Sequence, residues 1–361
     1  MTWLALATHE MARFHPAGIG CDKPAGSIGA SELLPRGSMM IETRISADAR
    51  PQSLLEFKRM HPWKGRVSVQ AIPGGAIALI LVQGTDVFHT VLSHGTDRRA
   101  DVLRITYSWD APRRWGRLAI ERPESEGVVM VETPPPPPLM LEDIRVMAER
   151  PRLRRMDRDM IYFAVSDRVE PLGPMPGLTM AAPVAVPGGT RPARDLRPGD
   201  LVETRERGAI PVAEVISRVV PAQGSFEPIR LRAPYFGLTR DVVVAPQQRL
   251  VIGGSEVEYL FGKESVLVPA QHLVHGSAAV AERGHALVRY TQVLLAGHET
   301  LDVMGAPMES FYLGRIRRHP LTHAASLVAH IPRSRLPEHA HSGHRVLAPF
   351  EAITLAEARA A

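Results

Sequence analysis

Residues 188–218 read GGTRPARDLRPGDLVETRERGAIPVAEVISR, and residues 240–252 read RDVVVAPQQRLVI. In the first stretch, Arg197-Pro198-Gly199-Asp200 stands between Leu196 and the apolar pair Leu201-Val202. Proline fixes φ, glycine supplies a positive φ, and an aspartate side chain can hold a nearby amide, so these four residues predict a turn between strands. Val212, Val215, Val219 and Val220 mix with polar residues as in half-buried strands, and Val242 to Val244 make a short apolar strand.

The order and spacing of these turns and strands resemble the Hint fold shared by Hedgehog autoprocessing domains and inteins. They are more closely similar to a bacterial Hint branch that reads DGWRPVEDLRPGDLV and later VSPQHRVL. The resemblance continues through Leu267-Val268-Pro269-Ala270 and through residues 289–314, RYTQVLLAGHETLDVMGAPMESFYLG. In the latter, His298, Glu299, Glu309 and Ser310 are the polar signature residues that survive.

The resemblance also implies a chemistry whose reactive groups are missing. In Hint domains a Cys or Ser at the first residue attacks its own preceding carbonyl, and a His polarises that bond. Registering VAVPGGTRP at 184–192 on the corresponding family segment puts the nucleophile's position on Gly177. Residues 175–189 contain no Cys or Ser, and Thr179 offers their one hydroxyl. Where the family reads Ser-Pro-Gln-His, this chain reads Ala245-Pro246-Gln247-Gln248, so Gln248 replaces the polarising His and Ala245 the hydroxyl. Glutamine can donate a hydrogen bond but cannot shuttle a proton near neutral pH. The chain has no asparagine, which closes the terminal cyclisation of intein splicing. A Hint scaffold without self-splicing, acting as a binding or architectural module and needing no cofactor, is the expected reading. The alternative is self-cleavage through a non-standard nucleophile. If His298 and Glu299 lie on a strand, their side chains point to opposite faces, which suits a structural histidine better than a catalytic dyad.

Upstream, residues 39–132 contain about seven short β-rich runs separated by turns such as Pro73-Gly74-Gly75 and Gly84-Thr85-Asp86. The run Val102 to Asp110, followed by Gly116 to Ile120, resembles the central hairpin of laminin-G or concanavalin-type sandwiches. Sandwiches of that kind often bind glycans, and Trp63, Trp109, Asp110 and Trp115 form the local cluster suited to sugar stacking and hydrogen bonding. A Trp109 that fills the core is the competing reading. No carboxylate pair stands at glycosidase spacing, so recognition is favoured over hydrolysis.

With 361 residues and 45% hydrophobic content, the chain can bury two or three cores. The expected fold is all-β: a leader at 1–38, a jelly-roll-like β-sandwich at 39–132 and a Pro-rich linker with a connecting helix and strand at 133–174. A Hint-type β domain at 175–315 and a His-, Pro- and Arg-rich tail at 316–361 complete it. Pro134 to Pro138 cannot pair into a sheet and read as a stiff spacer. The charge of +5 is small for the size and scattered, arguing against a nucleic-acid surface. Cys21 is the sole cysteine, which excludes an internal disulfide and a Cys-based metal site. His319 and His323 have the spacing of helical metal ligands, but Pro320 between them weakens the helix, and no metal site is expected. The N-terminal MTWLALATHEM lacks a basic region and is broken by Glu10, and no apolar run approaches the ~20 residues of a membrane span, so a cytoplasmic protein is expected by default. A glycan or a protein is the ligand expected, with no nucleic acid and no membrane.

Overall fold

The computed structural model describes every residue except 1, 2, 25, 27, 28, 30, 46–49, 96–100, 126 and 361. The chain divides into two compact units, Met1–Pro171 and Leu172–Ala361, and is mainly β in both.

The first unit contains an antiparallel seven-stranded sheet and an antiparallel five-stranded sheet. The seven-stranded sheet runs Val128–Glu132, Trp115–Glu121, Asp101–Asp110, Arg36–Ile45, Met160–Ser166, Trp3–Ala7, Ala12–Phe14. The five-stranded sheet runs Arg154–Met156, Gln52–Arg59, Gly65–Ile72, Ala76–Gln83, Asp86–Ser93. The expected hairpin is present, with Trp115 opposite Asp110 and Glu121 opposite Arg104. Alternating side chains from both sheets, among them Ile41, Ile105, Tyr107, Leu55, Val69 and Leu79, share one core. The helix Leu141–Glu149 adds Leu141, Ile144, Met147 and Ala148 to that core, a single face at helical spacing.

Two sequence boundaries need correction. The leader at 1–38 is not separate: all five residues of Trp3–Ala7 are buried, and this strand lies between Met160–Ser166 and Ala12–Phe14. Five consecutive apolar side chains are accommodated because both faces of an interior strand are covered. The linker at 133–174 is likewise part of the sandwich, since Met160–Ser166 is an interior strand and pairs with Arg36–Ile45. The proline run itself stays outside the ladders, as rings without N–H groups must.

In the second unit a six-stranded sheet has the order Glu214–Pro221, Leu287–Leu294, Leu178–Thr179, Val242–Val244, Ile229–Leu231, Ala279–Ala281. A nine-stranded sheet holds Arg249–Gly253, Ser265–Pro269, Thr300–Val303 and Ala306–Glu309 at its centre. The Arg197–Asp200 turn forms as read: Asp200 N–H donates to Arg197 O at 3.0 Å, and Gly199 has φ of 90°. The Asp200 carboxylate accepts the Arg197 N–H at 2.8 Å, closing the turn from its far end.

The tail at 316–361 is also structured. Arg345–Val346 adds a parallel strand to Ser265–Pro269, and the helix Pro349–Ala360 buries Ala352 and Leu355 in the second core. Ile316, Val328 and Leu336 close a satellite cluster over Ile216, Leu294 and Phe311. Apolar residues scattered among Pro, Arg and His were enough to dock the segment, although they show no period.

Candidate functional site

Gly177 immediately precedes Leu178, which pairs with both Val244 and Thr291 and so ties the start of the unit to two strands at once. Ala245 N–H donates to Gly177 O at 2.7 Å, and Gln248 N–H donates to Ala245 O at 3.0 Å, which folds the Ala245-Pro246-Gln247-Gln248 segment over the glycine. A Cβ built on Gly177 would stand 1.9 Å from Gln248 Oε1, 2.8 Å from its Cδ and 3.0 Å from its Cβ. The two positions that the sequence register assigned to nucleophile and polarising base are therefore in direct contact. A side chain at 177 could be accommodated only if the Gln248 amide moved.

Gln248 is held on all sides. Its Nε2 donates to Arg249 O at 3.0 Å and Glu309 O at 3.2 Å, and its Oε1 accepts from Gln292 Nε2 at 2.9 Å. Gln292 Nε2 also reaches Glu309 O at 2.8 Å, so two glutamine amides grip one carbonyl. Both side chains are buried, and Gln292 Oε1 has no hydrogen-bond partner. The Thr179 hydroxyl, the one hydroxyl in the N-terminal segment, donates to Val243 O at 2.8 Å. Ala245 is buried and offers a methyl group where the family has a hydroxyl.

His298 and Glu299 lie in the connection before Thr300–Val303 and not on a strand, which corrects the expected geometry. Their side chains nevertheless diverge. His298 Nε2 is 3.1 Å from Glu309 Oε2, while Glu299 Oε1 is 3.3 Å from Arg207 Nε. Around His298 stand Tyr312, edge-on at 4.8 Å between ring centroids, and His339 at 5.8 Å. Arg249 Nη1 lies 3.5 Å from Glu309 Oε2, and its guanidinium carbon is 5.9 Å from the Tyr312 ring. His339 accepts the Leu313 N–H on Nδ1 at 3.2 Å, so its Nε2 carries the proton toward Leu295 O at 3.3 Å. Burial, with the nearby His298 adding to it, pushes the His339 imidazole down to about 4, against the opposing pull of the Leu295 carbonyl. His298 Nδ1 is buried with no hydrogen-bond partner.

Gln292, Arg249, Tyr312 and His339 escaped the sequence reading. Only the tail's run of histidines signalled His339, and that run was read for metal spacing. His323 of the 319/323 pair is instead buried, with Nε2 at 3.1 Å from Val328 O and 3.0 Å from Ile331 O, tying down a loop. Among the described residues no group of three or more His, Cys, Asp and Glu is arranged to hold a metal.

In the first unit, Trp109 is fully buried, stacks on Tyr107 at 5.5 Å and donates from Nε1 to Leu34 O at 3.0 Å. A core ring of this kind cannot stack on a sugar, so Trp109 leaves the expected glycan cluster. Asp110 is also buried; it accepts the Arg113 N–H at 3.2 Å and organises the hairpin turn. Trp63, 38% exposed beneath Arg59 in the bend before Gly65–Ile72, and half-buried Trp115, which opens the strand Trp115–Glu121 beside Arg117, remain, on different sheets.

Residues 176–315 match the family model of the Hint domain, and the second unit thus carries a Hint domain. Among solved structures, the MchDnaB-1 intein is 14% identical, covering 36% of this chain and 98% of its own at a TM-score of 0.24. The CBM40 of the Ruminococcus gnavus IT-sialidase, bound to alpha2,3 sialyllactose, is 11% identical over 38% of this chain and 77% of its own, at a TM-score of 0.26. The LG1-3 region of the laminin alpha2 chain is 10% identical over 87% of this chain and 57% of its own, at a TM-score of 0.25. A comparison with curated proteins finds no match. Among the described residues, no helix is long and apolar enough to cross a membrane.

Proposed function

We propose that the Hint domain does not process itself, and that the protein works as a binding or architectural module in which the domain keeps its shape and not its chemistry. The observation that carries this reading is the 1.9 Å between Gln248 Oε1 and a Cβ placed on Gly177. The volume of a nucleophilic side chain is filled by an amide that is itself fixed by Gln292 and the Glu309 carbonyl. Neither amide can exchange a proton near neutral pH, and the Thr179 hydroxyl is committed to Val243 O. His298 is engaged with Glu309 and stands as a structural group in the Tyr312 and His339 cluster. The sandwich unit supplies the recognition surface, for a glycan or a protein.

Intact-mass spectrometry of the purified chain after incubation with a thiol tests the inert reading. The expected result is a single full-length species. Fragments with a terminus between Pro174 and Pro187 would establish self-cleavage through another nucleophile.

A further inference from the structure

The two edges of the five-stranded sheet differ. Arg154–Met156 has three residues, two of them arginine, the short charged kind of edge that discourages further pairing. Asp86–Ser93 has eight residues in unbroken register with Ala76–Gln83, and it contains no Lys, Arg or Pro. Its Val87 and Val91 are 63% and 49% exposed. Long edges with exposed apolar residues and neither Lys nor Pro are the ones that accept another strand.

Ladder parity fixes which backbone groups face outward. In an antiparallel pair, residues alternate between exchanging both hydrogen bonds and exchanging none. His94 N–H donates to Gly75 O, and Gly84 N–H donates to Lys64 O. With the printed registers, these bonds direct the backbone groups of Phe88 and Thr90 inward to Ala76–Gln83. Those of Val87, His89 and Val91 therefore face the side on which, among the described residues, no strand pairs.

Beside the first half of this edge runs the proline segment, held by Gln83 Nε2 donating to Pro138 O at 2.5 Å. Between them lies a groove of about 500 Å³, with Val87 and His89 on one side and Pro134 and Pro137 on the other. The prolines have no N–H and cannot complete the ladder, so one wall offers hydrogen bonds and the other apolar ring faces.

We propose that this groove takes an extended peptide segment of a partner protein, added as a sixth strand to the Asp86–Ser93 edge. Main-chain bonds to Val87, His89 and Val91 would supply affinity, and alternate β-branched or aromatic residues opposite Val87 and Val91 would supply selection. A second copy pairing edge to edge would carry its own neighbouring strand, one strand spacing further out, into the place of the proline run. The proposal rests on the recognition role given above to the first unit and is independent of whether the Hint domain is inert.

The test uses the full chain and a fluorescent pool of capped nonapeptides that alternate Val, Ile or Tyr with Thr between terminal lysines. Saturable binding is expected, together with slowed hydrogen exchange at the Val87, His89 and Val91 amides. His89→Pro removes one outward N–H and no inward bond, so it should weaken binding by about tenfold or more with the melting temperature kept. Should that variant unfold, Val91→Lys takes its place with the same expectation. Probes N-methylated at every central residue keep their side chains, present no N–H on either edge, and should bind in neither variant nor parent. Binding indifferent to these changes, no peptide binding at all, or self-association through this edge would overturn the proposal. The same chain on a glycan array separates the two readings: glycan capture without peptide binding removes the peptide and keeps recognition, and failure of both removes both.

Discussion

Gly177 and Gln248 are a matched pair, each fixed by the other. A methyl group at 177 has no room unless the Gln248 amide abandons its bonds to Gln292 and Glu309. Gly177→Ala should therefore destabilise the second unit by about 1–3 kcal/mol, the usual cost of overpacking, in denaturant melts. With Gln248→Ala in the same chain, the combined loss should be smaller than the sum of the single losses, because the clash is gone. Additive losses would mean the two side chains do not compete for that space. The two positions were legible in the sequence, since the Ala245-Pro246-Gln247-Gln248 segment between apolar strands located position 248 and the register of residues 184–192 on the family segment located position 177. Gln292 was not legible, because a polar residue within Leu287–Leu294 has no distinguishing sequence context until its partner amide is placed opposite.

His339 makes a second residue-scale prediction. Its imidazole is held neutral, titrating near 4 against 6.5 when unfolded. The unfolded chain thus binds more protons between those values, and the stabilisation is fully present above about 6.5 and lost as pH falls toward 4. The groups facing it are His298, Tyr312 and, through His298, Glu309 and Arg249. A contribution on the order of 2–3 kcal/mol should vanish across that window. His339→Gln should lower stability at pH 7.5 and flatten the wild type's decline between pH 6.5 and 4.5, read by urea melts. An unchanged slope would place the pH dependence elsewhere.

At the scale of elements, a broken alternation hides a strand from periodicity. Gln52–Arg59 was overlooked because a register shift between Ser53 and Leu55 places Leu54 and Leu55 both in the core, interrupting the alternation that marks a strand. The C-terminal helix Pro349–Ala360 was hidden for a different reason. Its core contacts are Ala352 and Leu355, while Phe350 is 70% exposed, so its most apolar residue points away from the buried face. Leu355→Ala should cost the second unit about 2–4 kcal/mol, and Phe350→Ala well under 1 kcal/mol. Calorimetry of the two variants would separate a docked helix from a loose tail, for which both changes would be silent.

At the scale of the whole molecule, the sequence placed the first boundary at the proline run, and contacts place it near residue 171. The error has a physical origin. Proline runs usually end a unit because they cannot enter a sheet, but here Pro136 is buried and the chain returns afterward. Met160–Ser166 then fills the interior position between Arg36–Ile45 and Trp3–Ala7. A fragment ending at residue 133 would leave Arg36–Ile45 with an open edge and detach Trp3–Ala7 and Ala12–Phe14 from the sheet. It would also remove Leu141, Ile144, Met147 and Ala148 from the core. That fragment is expected to aggregate or lack a cooperative melt, whereas residues 1–171 should be soluble, give a β-type circular dichroism spectrum and melt in one transition. A cooperative melt from the shorter fragment would mean that the strand at 160–166 is dispensable, and the sandwich would then end at the proline run as the sequence alone suggests.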